Sequence, residues 1–266
     1  MSDFLDKLYA AKAATLAADE ARESYATLAA RADVRRGERR PFARALRAAR
    51  GPAVIAEIKR ASPSLGLIAR NFDPAHIAAN YERAGVDAVS VLTEADHFLG
   101  DLAFLDIARA HTTKPILRKD FLSTRYHVAQ AAAYGADAVL LIVAGLDDAK
   151  LRELASEAAR FDLDTLVEVH DEAELARALA LPADVVGINN RDLRTFETDL
   201  GVTEHLLPSV PPGTLVISES GVHEPSDIAS LHLLGARGFL IGEALMRSSD
   251  PTAFVDDLKK VAGARR

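Results

Sequence analysis

The stretch DAVLLIVAGLDDAKLRELASEAARFDLDTLVEV, residues 137–169, holds the repeating unit of the fold. Its opening run, DAVLLIV, is a short aliphatic segment of the kind buried in a parallel sheet. An amphipathic stretch follows from Asp147-Asp148, and the chain returns as a second such run, DTLVEV at 164–169. Strand, helix and strand joined by short loops make a crossover unit, which parallel strands require. The texture continues upstream as AVIAEIK (53–59), DAVSVLT (87–93) and PILRK (115–119). Downstream it runs through DVVGIN (184–189), TLVISE (214–219) and RGFLIG (237–242). Asp73-Pro74 and Asp250-Pro251 fit an N-cap followed by proline at the first helical position. Gly85, Gly135 and Gly235 fit helix stops just ahead of strands. An open doubly wound sheet would alternate in the same way. Eight units in residues 51–266, with no Gly/Ser-rich linker, favour a (β/α)8 TIM barrel in the α/β class.

Composition narrows the chemistry. The 266 residues suit one domain, 1–266, made of an N-terminal helical extension (1–50) and the barrel (51–266). There is no Cys, which excludes disulfides, Cys-ligated zinc, iron–sulfur clusters and a thiol nucleophile. With 32 Lys and Arg against 39 Asp and Glu, the net charge of -7 argues against a nucleic-acid partner. No apolar run is long enough to span a membrane, and MSDFLDKLYA lacks the order of a signal peptide. A cytoplasmic protein with no membrane association is expected. The charge is uneven: residues 1–50 carry eleven basic and seven acidic side chains, a net of +4 that leaves -11 on the remainder. Periodic Phe4, Leu5, Leu8, Leu16, Tyr25 and Leu28 predict a helix over 3–32. Seven arginines then fall between Arg35 and Arg50. They read either as a face ion-paired to the acidic body or as a collar that attracts a phosphorylated anion.

In such a barrel, reactive groups project from the carboxyl ends of the strands. Side chains alternate with period two, so the inward polar residues can be listed strand by strand. They are Glu57 and Lys59 on the first, Lys119 on the third, Glu168 on the fifth, Asn189 and then Arg191 on the sixth, and Glu219 on the seventh. Buried ionisable groups converging from five strands must pair with one another or bind a ligand. Ser220-Gly221 and Gly242-Glu243 follow the last two strands, where backbone N–H groups at helix starts commonly hold phosphate. Ser62, in the first loop, can donate a hydroxyl from across the mouth. The eight histidines show no HxH or HExxH spacing, so no metal site is expected, and most are assigned to surfaces or loops.

The segments AEIKRASPSLG (56–66), SVLTEADHFLG (90–100), PILRKDF (115–121), LVEVH (166–170), GINNRDL (187–193), SESGV (218–222) and IGEALM (241–246) resemble indole-3-glycerol phosphate synthase. The resemblance covers the barrel in order and implies a helical N-terminal segment over its mouth. It departs at Glu243, where several members carry a small Ser. The implied substrate is 1-(2-carboxyphenylamino)-1-deoxyribulose 5-phosphate, cyclised, decarboxylated and dehydrated without cofactor or metal. By resemblance Lys119 is the acid of ring closure and Glu168 a base, with Lys59 or Lys119 the acid of dehydration. Glu57 and Glu219 would orient the lysines, and Asn189 would bond a sugar hydroxyl. Arg191 or Lys59 would meet the carboxylate, while Phe98, Phe121 and Leu193 would wall the aromatic ring. Ser62, Ser220, Gly221, Gly242 and Glu243 fall to the phosphate. A small phosphorylated molecule is thus the expected partner, and the chain is expected to act as a monomer. The rivals are a Schiff-base aldolase through Lys119 or Lys59 and a non-catalytic phosphate-binding barrel. Phosphoribosylanthranilate isomerase fits less well, since its family uses a cysteine.

Overall fold

The structure, a computed structural model, describes residues 3–260; residues 1–2 and 261–266 of the expected domain lie outside the described residues. Eight strands close into a parallel barrel: β1 (Ala53–Ile58), β2 (Ala88–Leu92), β3 (Ile116–Lys119), β4 (Ala138–Ile142), β5 (Asp164–Val169), β6 (Val185–Asn189), β7 (Val216–Glu219) and β8 (Gly238–Ile241). Closure is made by β1 against β8, with Ala53 opposite Gly238. Period two divides each strand. Ala53, Ile55, Leu117, Leu140, Leu166, Val185, Ile217 and Leu240 fill the interior, whereas Val54, Val89, Val139, Val167 and Phe239 face the helical shell.

The helices begin and end as the local chemistry requires. Asp73 caps α4 (Pro74–Arg83) by accepting from the N–H groups of Ala75 and His76. Asp250 accepts from Thr252 and Ala253 at the start of α12 (Pro251–Lys260). Gly85, Gly135 and Gly235 all take positive φ, the left-handed turn that ends a helix, the last of them after α10 (Pro225–Leu234). The aspartates that open several strand runs also bond to the strand beside them. Asp87 accepts from Val54 N at 2.8 Å, Asp137 from Ile116 N at 2.9 Å and Asp184 from Thr165 N at 2.8 Å. These bonds satisfy leading N–H groups of β1, β3 and β5.

The N-terminal segment departs from expectation twice. It forms two helices rather than one, α1 (Asp3–Arg22) and α2 (Tyr25–Val34), because the Ser24 hydroxyl takes the Thr27 N–H and starts a new helix. Only α1 lies over the mouth. Its Leu5 and Leu8 join the barrel interior and Lys12 reaches Asp120 just beyond β3, at 2.8 Å. The chain then runs down α6 (Arg125–Ala133) as α2 and crosses beneath the barrel as α3 (Phe42–Arg47). Phe42 and Leu46 are fully buried against the interior residues at the amino ends of the strands.

The arginine run is therefore no collar for an anion: it lies at the opposite end from the strand carboxyl termini. Arg39 donates to the carbonyls of Ala132, Ala136 and Phe161. Arg40 donates to those of Arg109, Thr112 and Lys114. These carbonyls sit at or just past the ends of α5 (Ala103–His111), α6 and α7 (Asp148–Arg160). The last carbonyls of a helix lack internal partners and carry the negative end of its dipole, so guanidinium groups are well suited there. Arg35 and Arg36 pair with Asp106 and Asp162.

Phe42→Ala should therefore lower the free energy of unfolding by about 3–5 kcal/mol, the usual cost of truncating a buried Phe. Urea denaturation measures it, and KM should stay put because the residue lies at the far end from the mouth. A raised KM at unchanged stability would refute this role for α3.

Candidate active site

Every inward residue picked out by alternation lines one cleft at the carboxyl ends of the strands, enclosing about 1060 Å³ of space open to solvent. Glu57 and Lys59 rise from β1 and pair at 2.6 Å between Oε2 and Nζ. Lys119 ends β3 with its Nζ 3.2 Å from Glu168 Oε2 and 3.3 Å from Glu219 Oε2. Two glycines make room for this arrangement. A Cβ on Gly187 of β6 would overlap Glu219 Oε1, and one on Gly242 would overlap Glu57 Oε2 and stand 2.9 Å from Lys59 Nζ. Asn189 lies opposite Glu219 in register and accepts from Arg191 N at 3.1 Å.

The rim divides into apolar and polar parts. Phe98 and Phe121 stand with ring centres 6.3 Å apart, and Leu193 lines the same cleft. Phe4 of α1 and Phe196 add to the wall, edge to face at 5.0 Å, and neither is evident from strand alternation. Across the mouth, Ser62 belongs to a two-residue hairpin, Ala61–Ser62 with Gly66–Leu67, and its Oγ is 3.4 Å from Ser64 Oγ. Arg191 is steadied by the Phe196 carbonyl at 2.9 Å and Ser64 Oγ at 3.4 Å. Ser220 and Gly221 both have positive φ, with Asn190 Nδ2 donating to the Ser220 carbonyl at 3.0 Å. Gly242 occupies the cap position of α11 (Glu243–Arg247), where no side chain bonds the first-turn N–H groups. The Glu243 carboxylate is drawn into an ion pair with Arg247 Nε at 3.3 Å.

Burial and pairing pull the ionisable groups apart. Burial alone would neutralise Lys119, but Glu168, Glu219 and Glu57 hold it well above the usual lysine range. Burial likewise opposes ionisation of Glu168, yet Lys119, His170 and Asn189 hold it well below the carboxylate range. Glu219 is pushed up to about 7 by burial, with Lys119 opposing and Glu168 and Glu57 adding to the rise. Beneath α1, Asp120 is held low against burial by Arg118 and Lys12.

Four features escape a reading of inward positions. Asp120 and Arg118 face away from the barrel axis, and their pairing at 2.9 Å appears only in three dimensions. Tyr9 of α1 packs on Gly145 and Phe121 with its hydroxyl buried and unpartnered. His127 is buried rather than exposed, and burial pulls it down to about 3. His170 flanks Glu168, with Nε2 3.4 Å from Oε1, close enough for ion pairing but not aligned for a hydrogen bond. Its place two residues beyond Glu168 was a legible signal. No group of three or more His, Asp or Glu that could hold a metal occurs among the described residues.

Residues 5–258 match the family model described as indole-3-glycerol phosphate synthase. The chain belongs to that family. Among curated relatives, the indole-3-glycerol phosphate synthases of Bordetella pertussis and Aromatoleum aromaticum are each 47% identical over 254 residues, covering 94% of this chain and 97% of the relative. That of Polaromonas sp. is also 47% identical, over 96% of its length. Membership in the indole-3-glycerol phosphate synthase family makes the chain a decarboxylating lyase of tryptophan biosynthesis and sets aside the aldolase and binding-only readings. Solved structures echo the barrel. The 3-hexulose-6-phosphate synthase of Salmonella typhimurium superposes with a TM-score of 0.64 at 13% identity, over 80% of this chain and all of its own. Thiamine phosphate pyrophosphorylase from Pyrococcus furiosus gives 0.57 at 14%, over 80% and 96%. At such identities the likeness concerns the fold alone. No helix among the described residues is long and apolar enough to cross a membrane.

Gly187→Ala should leave the barrel folded but displace Glu219, lowering kcat by about 100-fold, as small misplacements in an active site do. Circular dichroism and steady-state turnover check both halves; wild-type kcat would show that the carboxylate needs no such room.

Proposed function

We propose that the cleft converts 1-(2-carboxyphenylamino)-1-deoxyribulose 5-phosphate to indole-3-glycerol phosphate, with loss of carbon dioxide and water, and that its residues divide the steps as follows. The observation that carries the reading is the Lys119 ammonium held between Glu168 and Glu219 on the cleft floor, with the Lys59–Glu57 pair beside it. The substrate phosphate is assigned to the N–H groups at Gly221, Gly242 and Glu243, with Ser62 and Ser220 at its side. The Arg247 pairing of Glu243 supports a backbone role at that position. Arg191 and Lys59 are the cations available to the substrate carboxylate. Phe98, Phe121 and Leu193 bound the space left for the aromatic ring.

Ring closure joins the carboxylate-bearing ring carbon to the ketone carbon. The carbonyl π electrons move to oxygen, and Lys119 supplies the proton that makes it a hydroxyl. Carbon dioxide then departs, leaving the electrons of its bond to restore the aromatic ring. Dehydration requires a proton to leave the methylene carbon next to nitrogen and hydroxide to leave as water. Glu168, held ionised, accepts the first; Lys59 is the acid assigned to the second. Glu57 orients Lys59, Glu219 orients Lys119, and Asn189 is positioned for a sugar hydroxyl.

Incubating the protein with the substrate and following indole fluorescence tests the reaction directly. Lys119→Met and Glu168→Gln should each reduce turnover at least about 100-fold while the barrel persists, the usual size of an acid–base contribution. Near-wild-type turnover in either would remove that residue's role.

A further inference from the structure

Lys119 faces two carboxylates at almost equal distance, 3.2 Å to Glu168 and 3.3 Å to Glu219, and each glutamate is only 1% exposed. Sequence position and burial therefore do not distinguish them as proton acceptors. Their second contacts do. Neither oxygen of Glu219 has a hydrogen bond, whereas Glu168 Oε1 looks across 3.4 Å to His170 Nε2. The imidazole is itself gripped by Glu174 on α8 (Glu172–Leu179). One oxygen of that residue, Oε2, accepts from the His170 backbone N at 2.8 Å and lies 3.0 Å from ring Nδ1. Both ring nitrogens thus face carboxylates, which selects the doubly protonated, cationic ring. The cavity beside it is also lined by Arg191, Asp192, Arg194, Glu197 and Asp199, on the loop after β6, and by Asp171 at the cap of α8. His205 of α9 (Gly201–Leu206), which pairs with Glu172, borders the same side.

We propose that His170, clamped by Glu174, is a positioning residue that makes Glu168 rather than Glu219 the proton acceptor in this cleft. The assignment rests on Glu168 acting as the base. The ring fixes Oε1 and leaves Oε2 toward Lys119 and the substrate, and its charge gives Glu168 a second cation where Glu219 shares only one. The opposed titration of the two glutamates, one low and one near neutrality, agrees with this geometry. His170 titrates high, at about 10: burial would lower it, and Glu168 and Glu174 raise it further.

The sign of the effect follows. Base catalysis needs Glu168 ionised, so turnover falls on the acid side as Glu168 takes up a proton. Removing the imidazolium raises the pH at which that happens. In His170→Gln the acid limb of the kcat profile should move up by about one pH unit or more, the usual influence of a charge at this distance. Glu174→Gln should move it in the same direction by less. KM should change less than about twofold, since the ring makes no substrate contact, and the profiles should converge toward neutral pH, where Glu168 is ionised in both proteins. A uniform fall in kcat at every pH, or an unmoved limb, would overturn the proposal. Should His170→Gln fail to fold, the Glu174→Gln limb decides by itself. Glu168→Gln belongs in the same series. If it retained turnover, the base assignment would fail and the positioning role with it; if it lost turnover while both limbs stayed put, only the positioning role would fail.

Discussion

A charged lysine held inside a barrel between buried carboxylates is the condition on which the rest of the molecule depends. Removing Lys119 would take from Glu168 and Glu219 the cation they share, a cost that an apolar set in the same place would not carry. The lower interior is accordingly ordinary aliphatic packing, Ile55, Leu117, Leu166 and Ile217, while the last inward position of several strands is ionic. Gly187 and Gly242 belong to the same constraint. They are not turn residues; they are the spaces in which the carboxylates of Glu219 and Glu57 fit. Unequal second contacts then turn a set of similar carboxylates into groups with separate tasks.

Much of this could be read from residue order, because a period of two is an unambiguous rule once strand phase is known. The phase of β1, β3, β5, β6 and β7 follows from their aliphatic residues, and it turns Glu57, Lys59, Lys119, Glu168, Asn189 and Glu219 inward together. Less was legible wherever the partner is not a side chain. Arg39 and Arg40 answer backbone carbonyls of helix ends, which no count of charges reveals. The N-terminal segment likewise looked like one helix because its apolar spacing continues past Ser24. A hydroxyl bonding to Thr27 N broke that continuity. His170 is hidden for a different reason. Histidine spacing speaks to metal ligands and not to a cation beside a carboxylate.

The helical shell and the inner core also share a seal that neither supplies by itself. Leu5 and Leu8 close the interior from above, Phe42 and Leu46 from below, and all four belong to the same apolar cluster as the barrel's inward residues. Lys12 on Asp120 ties the upper closure to the residue next to Lys119, so the roof and the reacting lysine share one short stretch of backbone.

That segment spans the barrel from mouth to base, and its partners are distributed along the chain, from Asp106 and Asp120 to Phe196 and Gly213. During synthesis it precedes nearly everything it binds. Phe4 meets no Phe196, and Arg47 no Gly213 carbonyl, until the later strands have left the ribosome. Contacts so distant in sequence form slowly. A segment synthesised ahead of its partners is thus among the last to dock, and the barrel interior stays open at both ends until it does.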